Sequence, residues 1–217
     1  SARWPKQIDL TGKRVGVIGT GASAMQLAPA VAEQAAKLTI FQRSPHWIRV
    51  LPDYHRKVSP HKRWLLDHFP FYRNWYRFKL FWVYGDGIWE SIHKDPEWPH
   101  GDRSLNADNE RHREIYVRNL REALDNDEAL LAKVVPSYPP FAKRMLIDNH
   151  WCEMLKRDNV ELICAGTSQI QRNGVIDALG GEHPLDVLIY ATGFQAHRFL
   201  FPLTVRGSGT KTLDDTW

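Results

Sequence analysis

KRVGVIGTGASAMQLAPAVAEQAAKLTIFQRS, residues 13–44, decides the fold. It reads as strand, glycine turn, helix, strand. Lys13–Ile18 opens on two charges and turns apolar at Val15, Val17 and Ile18, as a strand entering a parallel sheet does. Gly19-Thr20-Gly21-Ala22-Ser23-Ala24 has the dinucleotide spacing G-x-G-x-x-A. Gly19 suits a tight turn, Gly21 lets a pyrophosphate approach the backbone, and Ala24 keeps the helix close to the strand. A helix from about Ser23 to Ala36 would aim free N–H groups and a positive dipole end at the phosphates. Leu38–Phe41 is the second strand.

Working outward, the residues after that strand select the coenzyme. A dinucleotide site for NAD has Asp or Glu about 20 residues past the glycines. Here Gln42-Arg43-Ser44 stands there, with Arg43 24 residues after Gly19 (43 − 19). A guanidinium fork suits a 2′-phosphate and cannot accept from a ribose hydroxyl. The reading is NADPH over NADH; the plainer alternative is a solvated arginine at a strand end.

The 217 residues, 43% hydrophobic and 25% charged, suffice for one good core with a subdomain. The net charge of +4 fits a phosphate-bearing cofactor, and with no run of five basic residues nucleic acid is discounted. Cys152 and Cys164 lack metal or framework spacing, so free thiols in a reducing, cytoplasmic setting are expected. The histidines lack ligand spacing, and no metal is assigned. No apolar run approaches the length of a membrane span.

Residues 45–60 are a proline-punctuated connection. Residues 61–93 hold an aromatic block, with Trp75, Tyr76, Phe78, Phe81 and Trp82 at helical spacing and Gly85-Asp86-Gly87 as the stop. Three readings stay open: an aromatic face packed on its own domain, rings lining a substrate entrance or interface, or a membrane-surface helix with Arg73, Arg77 and Lys79. A helix is expected over 109–124, capped by Asn106 or Asp108, with Ile115, Leu120 and Leu124 inward. A short helix over 125–133 follows. Pro136, Pro139 and Pro140 stiffen a loop ahead of Lys143-Arg144, adjacent cations that point to an anionic partner.

Further on, His150–Arg157 contains a short helix and Val160–Ile163 is a strand. Strands over 170–175 and 176–179 form a hairpin about Asn173-Gly174. Residues 180–184 turn the chain. Asp186–Tyr190 is a buried strand leading to Ala191-Thr192-Gly193-Phe194. The expected fold class is α/β, a Rossmann-like NADP-binding domain with one parallel sheet (residues 1–50 and 134–217) and a helical insertion (51–133).

Together these pieces resemble the class B flavoprotein monooxygenases, specifically the Baeyer–Villiger monooxygenases. Ser1-Ala2-Arg3-Trp4-Pro5 is similar to the end of that family's F-x-G-x-x-x-H-x-x-x-W-P signature, and residues 19–26 to its NADPH fingerprint. Gln42 to Pro45, Tyr138 to Arg144, and Asp186 to Phe194 resemble later landmarks in the right order. The aromatic block with Phe81–Gly87 looks most like the branch acting on aryl ketones such as 4-hydroxyacetophenone. The resemblance implies NADPH, FAD and O2 converting a ketone to an ester or lactone through a C4a-peroxyflavin. It implies Arg144 as the active-site arginine, Lys143 and Arg43 on the 2′-phosphate, and Thr20, Ser23 and Gln26 on the pyrophosphate and nicotinamide side. Thr192 and Gly193 would close over the dinucleotide.

The family's first, FAD-binding fingerprint is absent from these residues. The expectation is therefore an NADPH-binding fragment partnered by a missing FAD domain of the same polypeptide, carrying no flavin and oxidising no ketone alone. Alternatives are an N- or S-oxygenating flavin monooxygenase and a stand-alone NADP-binding regulatory module.

Overall fold

The computed structural model describes residues 4, 8–51, 53–194, 202–207, 209 and 211–213. Ser1–Arg3 and Pro5, named above, lie outside the described residues.

The organising unit forms as its sequence demands. Strand β1 (Arg14–Ile18) leads through Gly19–Gly21 into helix α1 (Ala22–Ala32) and strand β2 (Lys37–Phe41). Val15, Val17, Leu38 and Ile40 are fully buried, and α1 turns Ala24, Met25, Ala28, Val31 and Ala32 onto them at helical spacing. The helix ends at Ala32, four residues short of the expected Ala36. The chain must reverse there, because the Ala36 N–H donates to the Lys13 carbonyl at 2.9 Å to bring β2 alongside β1.

Strands β5 (Val160–Ile163) and β9 (Val187–Tyr190) complete a four-stranded parallel sheet of order β5-β2-β1-β9. Val15 is paired with Leu38 on one side and Val187 on the other. This is the 3-2-1-4 order of a Rossmann half, so the α/β, parallel-sheet expectation holds. Arg14 and Asp186 lock the entry of β1 to that of β9 with an ion pair at 2.7 Å.

Two further sheets accompany the parallel one, where a single sheet was expected. Strand β3 (Ile48–Arg49), inside the proline-punctuated connection, pairs in parallel with β4 (Leu146–Ile147). Strands β6 (Thr167–Gln171), β7 (Gly174–Asp177) and β8 (Glu182–Pro184) form an antiparallel sheet. The hairpin turn falls at Arg172-Asn173. Residues 182–184, read above as part of a turn, are a strand. The Asp177 carboxylate makes that second reversal: it accepts from the Leu179 and Gly181 N–H groups at 2.8 and 2.9 Å and meets His183 Nε2 at 2.8 Å.

Helix α4 (Ala107–Ala123) is capped by Asn106, whose Oδ1 accepts from the Asn109 N–H at 2.8 Å. Helix α5 (Glu128–Val134) follows a turn through Asp125 and Asn126, both left-handed. Leu120, Leu124, Leu131 and Val134 belong to the same core as β1 and β2, as do Trp151, Cys152, Met154 and Leu155 of helix α6 (Trp151–Leu155).

The aromatic block behaves otherwise. Helices α2 (Pro60–His68) and α3 (Pro70–Tyr84) pack on each other, and neither buries a residue. Phe71, Trp75, Phe78 and Trp82 recur at three- and four-residue spacing and are all at least half exposed, Phe71 at 90%. An aromatic face packed on its own domain is therefore not what these helices form. Among the described residues no helix is long and apolar enough to cross a membrane.

Candidate functional site: a cleft at the carboxyl edge of the sheet

The four parallel strands end on one side, and a cleft of about 470 Å³ opens there. It is lined by Ile18 to Gly21 after β1, by Phe41, Arg43, Ser44 and His46 after β2, by Gly166 and Thr167 after β5, and by Ala191 to Gly193 after β9. Open parallel sheets bind ligands at this edge, where the strand order reverses.

Each wall has a local cause. Gly19 is left-handed at φ +102°, and a Cβ there would lie 2.6 Å from the Ala191 carbonyl oxygen. Only glycine lets β1 leave the sheet so close to the end of β9. Gly21 is the reverse case: a Cβ there would meet nothing within 4 Å. The space beside it belongs to the cleft. Gly21 is also the N-cap of α1 and no side chain caps that end, so the first-turn N–H groups are available. No acidic residue stands in that turn to oppose an anion.

Positive charge gathers on the wall that follows β2. Arg43 is exposed on the rim, its stem 3.8 Å from where a Cβ on Gly166 would be. Lys143 Nζ donates to the Ser44 hydroxyl at 3.3 Å, across 99 residues of chain. The Lys143 ammonium also lies 4.5 Å from the centre of the Tyr138 ring. Tyr138 in turn donates its hydroxyl proton to the Pro45 carbonyl at 2.9 Å and accepts at its own carbonyl from Trp47 Nε1 at 2.9 Å. The loop carrying Lys143 is thus tied to the loop carrying Ser44.

The structure brings Gly19, Thr20, Gly21, Arg43, Ser44, Thr192 and Gly193 to the cleft, with Lys143 bonded to its rim. Ala22, Ser23 and Gln26 are exposed on the first turn of α1, where Gln26 Nε2 donates to the Ala22 carbonyl at 3.1 Å; their side chains do not line the cleft. Ala24 is fully buried, so its part is packing, not contact. Arg144 is exposed next to Lys143 and outside the cleft lining.

His46 was not anticipated. It lines the cleft, its Nδ1 is buried without a hydrogen-bond partner among the described residues, and burial, then the charge of Lys143, hold its pKa below the ordinary value. Gly166 and Thr167 were also missed. Their signal was present: they follow a parallel strand, and every such strand end faces this edge.

Comparison with known proteins covers the whole chain. An uncharacterized monooxygenase of Sinorhizobium fredii is 40% identical over 217 residues, all of this chain and 33% of that protein. A Baeyer–Villiger monooxygenase of Streptomyces coelicolor is 32% identical over 219 residues, again the full chain and 39% of the relative. Among solved structures, OTEMO in complex with FAD and NADP superposes with a TM-score of 0.76 at 29% identity, over 100% of this chain and 46% of that one. Along its whole length the chain is similar to part of the Baeyer–Villiger monooxygenases. An open form of cyclohexanone monooxygenase matches comparably, with a TM-score of 0.75 at 26% identity, over 100% of this chain and 47% of that one. No protein-family model matches. The chain spans between 33% and 45% of the length of the curated relatives it matches.

Proposed function

We propose that this chain is the NADP(H)-binding part of a flavin-dependent Baeyer–Villiger monooxygenase that oxidises ketones to esters or lactones with O2. One observation carries the reading. The cleft joins an uncapped helix start and an open Gly21 to a cationic rim of Arg43 and Lys143. The first suits a pyrophosphate and the second a 2′-phosphate.

On this reading the N–H groups opening α1 take the pyrophosphate, with Thr20, Ser23 and Gln26 beside it. Arg43, Lys143 and the Ser44 hydroxyl hold the 2′-phosphate by charge-assisted hydrogen bonds. Thr192 and Gly193 form the opposite wall. Arg144 stands outside this grip and is assigned to the reacting centre, where a fixed guanidinium would steady developing negative charge. When bound, NADP(H) supplies the two-electron reductant as hydride. The 217 residues carry one dinucleotide fingerprint and it is assigned to NADP(H), so residues other than these hold the flavin. The division into a Rossmann-like unit (1–50, 134–217) and an insertion (51–133) belongs to the same proposal.

Calorimetric titration with NADP+ and NAD+ tests it. Arg43→Ala is expected to lose roughly 1.5–3 kcal/mol of NADP+ binding, the range for a hydrogen bond to a charged group, and little NAD+ binding. Equal affinity of the parent protein for both coenzymes would remove the 2′-phosphate assignment. Ester formation by these 217 residues alone, given FAD, NADPH, O2 and a ketone, would overturn the division of labour.

A further inference from the structure

The loop that carries Lys143 is held from two directions, and only one belongs to the sheet. Tyr138 and Trp47 tie it to the β2 side. The other hold comes from α4, in the insertion. Asn109 is fully buried. Its Nδ2 donates to the Pro140 carbonyl at 3.1 Å and to the Ser91 carbonyl at 3.0 Å, and its Oδ1 accepts from the Leu105 N–H at 3.3 Å. One amide therefore joins three segments. The next residue, Phe141, is left-handed at φ +68°, a conformation that a bulky side chain keeps only where packing compensates. The compensation is visible. The Phe141 ring stands edge-on to His112, centroids 5.2 Å apart, and to Tyr116 at 6.2 Å, both on α4. Two residues later Lys143 reaches Ser44.

We infer that Asn109 and Phe141 are positioning residues for coenzyme selectivity: through them the insertion sets where Lys143 stands against the cleft. The inference rests on the reading that Lys143 meets the 2′-phosphate. A buried amide with its carbonyl partners fixed, and an aromatic plug in a strained backbone, allow the 139–144 turn one position. With either removed, Lys143 becomes a mobile lysine whose ordering must be supplied at binding, so affinity for the phosphorylated coenzyme falls while affinity for the other does not.

The experiment is a double-mutant cycle in the intact protein, read as the ratio of NADP+ to NAD+ affinity by calorimetry. Lys143→Ala is expected to lower that ratio about tenfold, on the scale of one charge-assisted contact. Asn109→Ala and Phe141→Ala are each expected to lower it several-fold, with NAD+ affinity unchanged. Either change added to Lys143→Ala should lower it no further. Retained NAD+ binding reports a folded cleft; should Asn109→Ala fail to fold, Phe141→Ala, at a half-buried position, carries the test. Unchanged ratios in a folded single variant, or effects that add to Lys143→Ala, would overturn the inference while leaving the Lys143 assignment intact. A Lys143→Ala protein with the parent ratio would remove that assignment, and the inference with it.

Discussion

The two glycines of the fingerprint, two residues apart, should fail in opposite ways. At Gly19 a methyl group would lie 2.6 Å from the Ala191 carbonyl oxygen, and the backbone there is left-handed. That oxygen cannot retreat freely, because the Ala191 N–H is bonded to the Ile18 carbonyl at 2.9 Å. The strained conformation costs about 1–3 kcal/mol and the forced contact about as much again. Gly19→Ala should therefore lose roughly 2–6 kcal/mol of stability. For a chain of this size that lowers Tm by on the order of 10 °C. At Gly21 the backbone is extended at φ −74° and an added Cβ meets nothing. Gly21→Ala should shift stability by less than about 1 kcal/mol, a weaker N-cap being offset by a less flexible unfolded chain. Its cost should appear with ligand present: a methyl group in the path of the pyrophosphate should weaken NADP+ binding at least ~10-fold. Thermal unfolding by circular dichroism without ligand, then calorimetry with NADP+, separates the two. The reasoning is refuted if Gly21→Ala binds NADP+ like the parent, or if Gly19→Ala melts with it.

Two other outcomes can be checked. Burial and Lys143 depress the pKa of His46, so its contribution to stability is complete above about pH 6.5, the unfolded value, and is lost as pH falls from there towards the folded value. His46→Gln should therefore show a shallower decline in urea-unfolding stability between about pH 7.5 and 5.5; an unchanged slope would place the ring in water. Phe71 is 90% exposed, so Phe71→Ser should change stability by no more than ~0.5 kcal/mol and should reduce binding of the dye ANS. A loss several times larger would mean that α3 buries the face shown here as open.

Much of the fold was legible along the chain. Residues 13–44 carry their own instructions: apolar runs for strands, glycines where a turn and an open approach are needed, small residues where a helix must lie close. Helix α4 was legible too, although the sequence left Asn106 and Asp108 open as its cap and the helix starts at Ala107, two residues before the expected 109. The third sheet strand, Val160–Ile163, was read at its observed bounds, three apolar residues about Glu161.

Tertiary structure decided the rest. Strand β8 has a charge and a proline among its three residues, and it pairs with β7 across a turn that the Asp177 carboxylate helps to hold. Strands β3 and β4 are two residues each and exist through one another. The aromatic spacing of α3 foretold a helix, not which side would find a partner, since periodicity records where rings point and not what they meet. Arg43 could be assigned by its distance from Gly19, but the bond from Lys143 to Ser44 spans 99 residues. Local chemistry is written in neighbouring residues. A cleft is written in where distant strands end together, and only folding brings those ends to one edge.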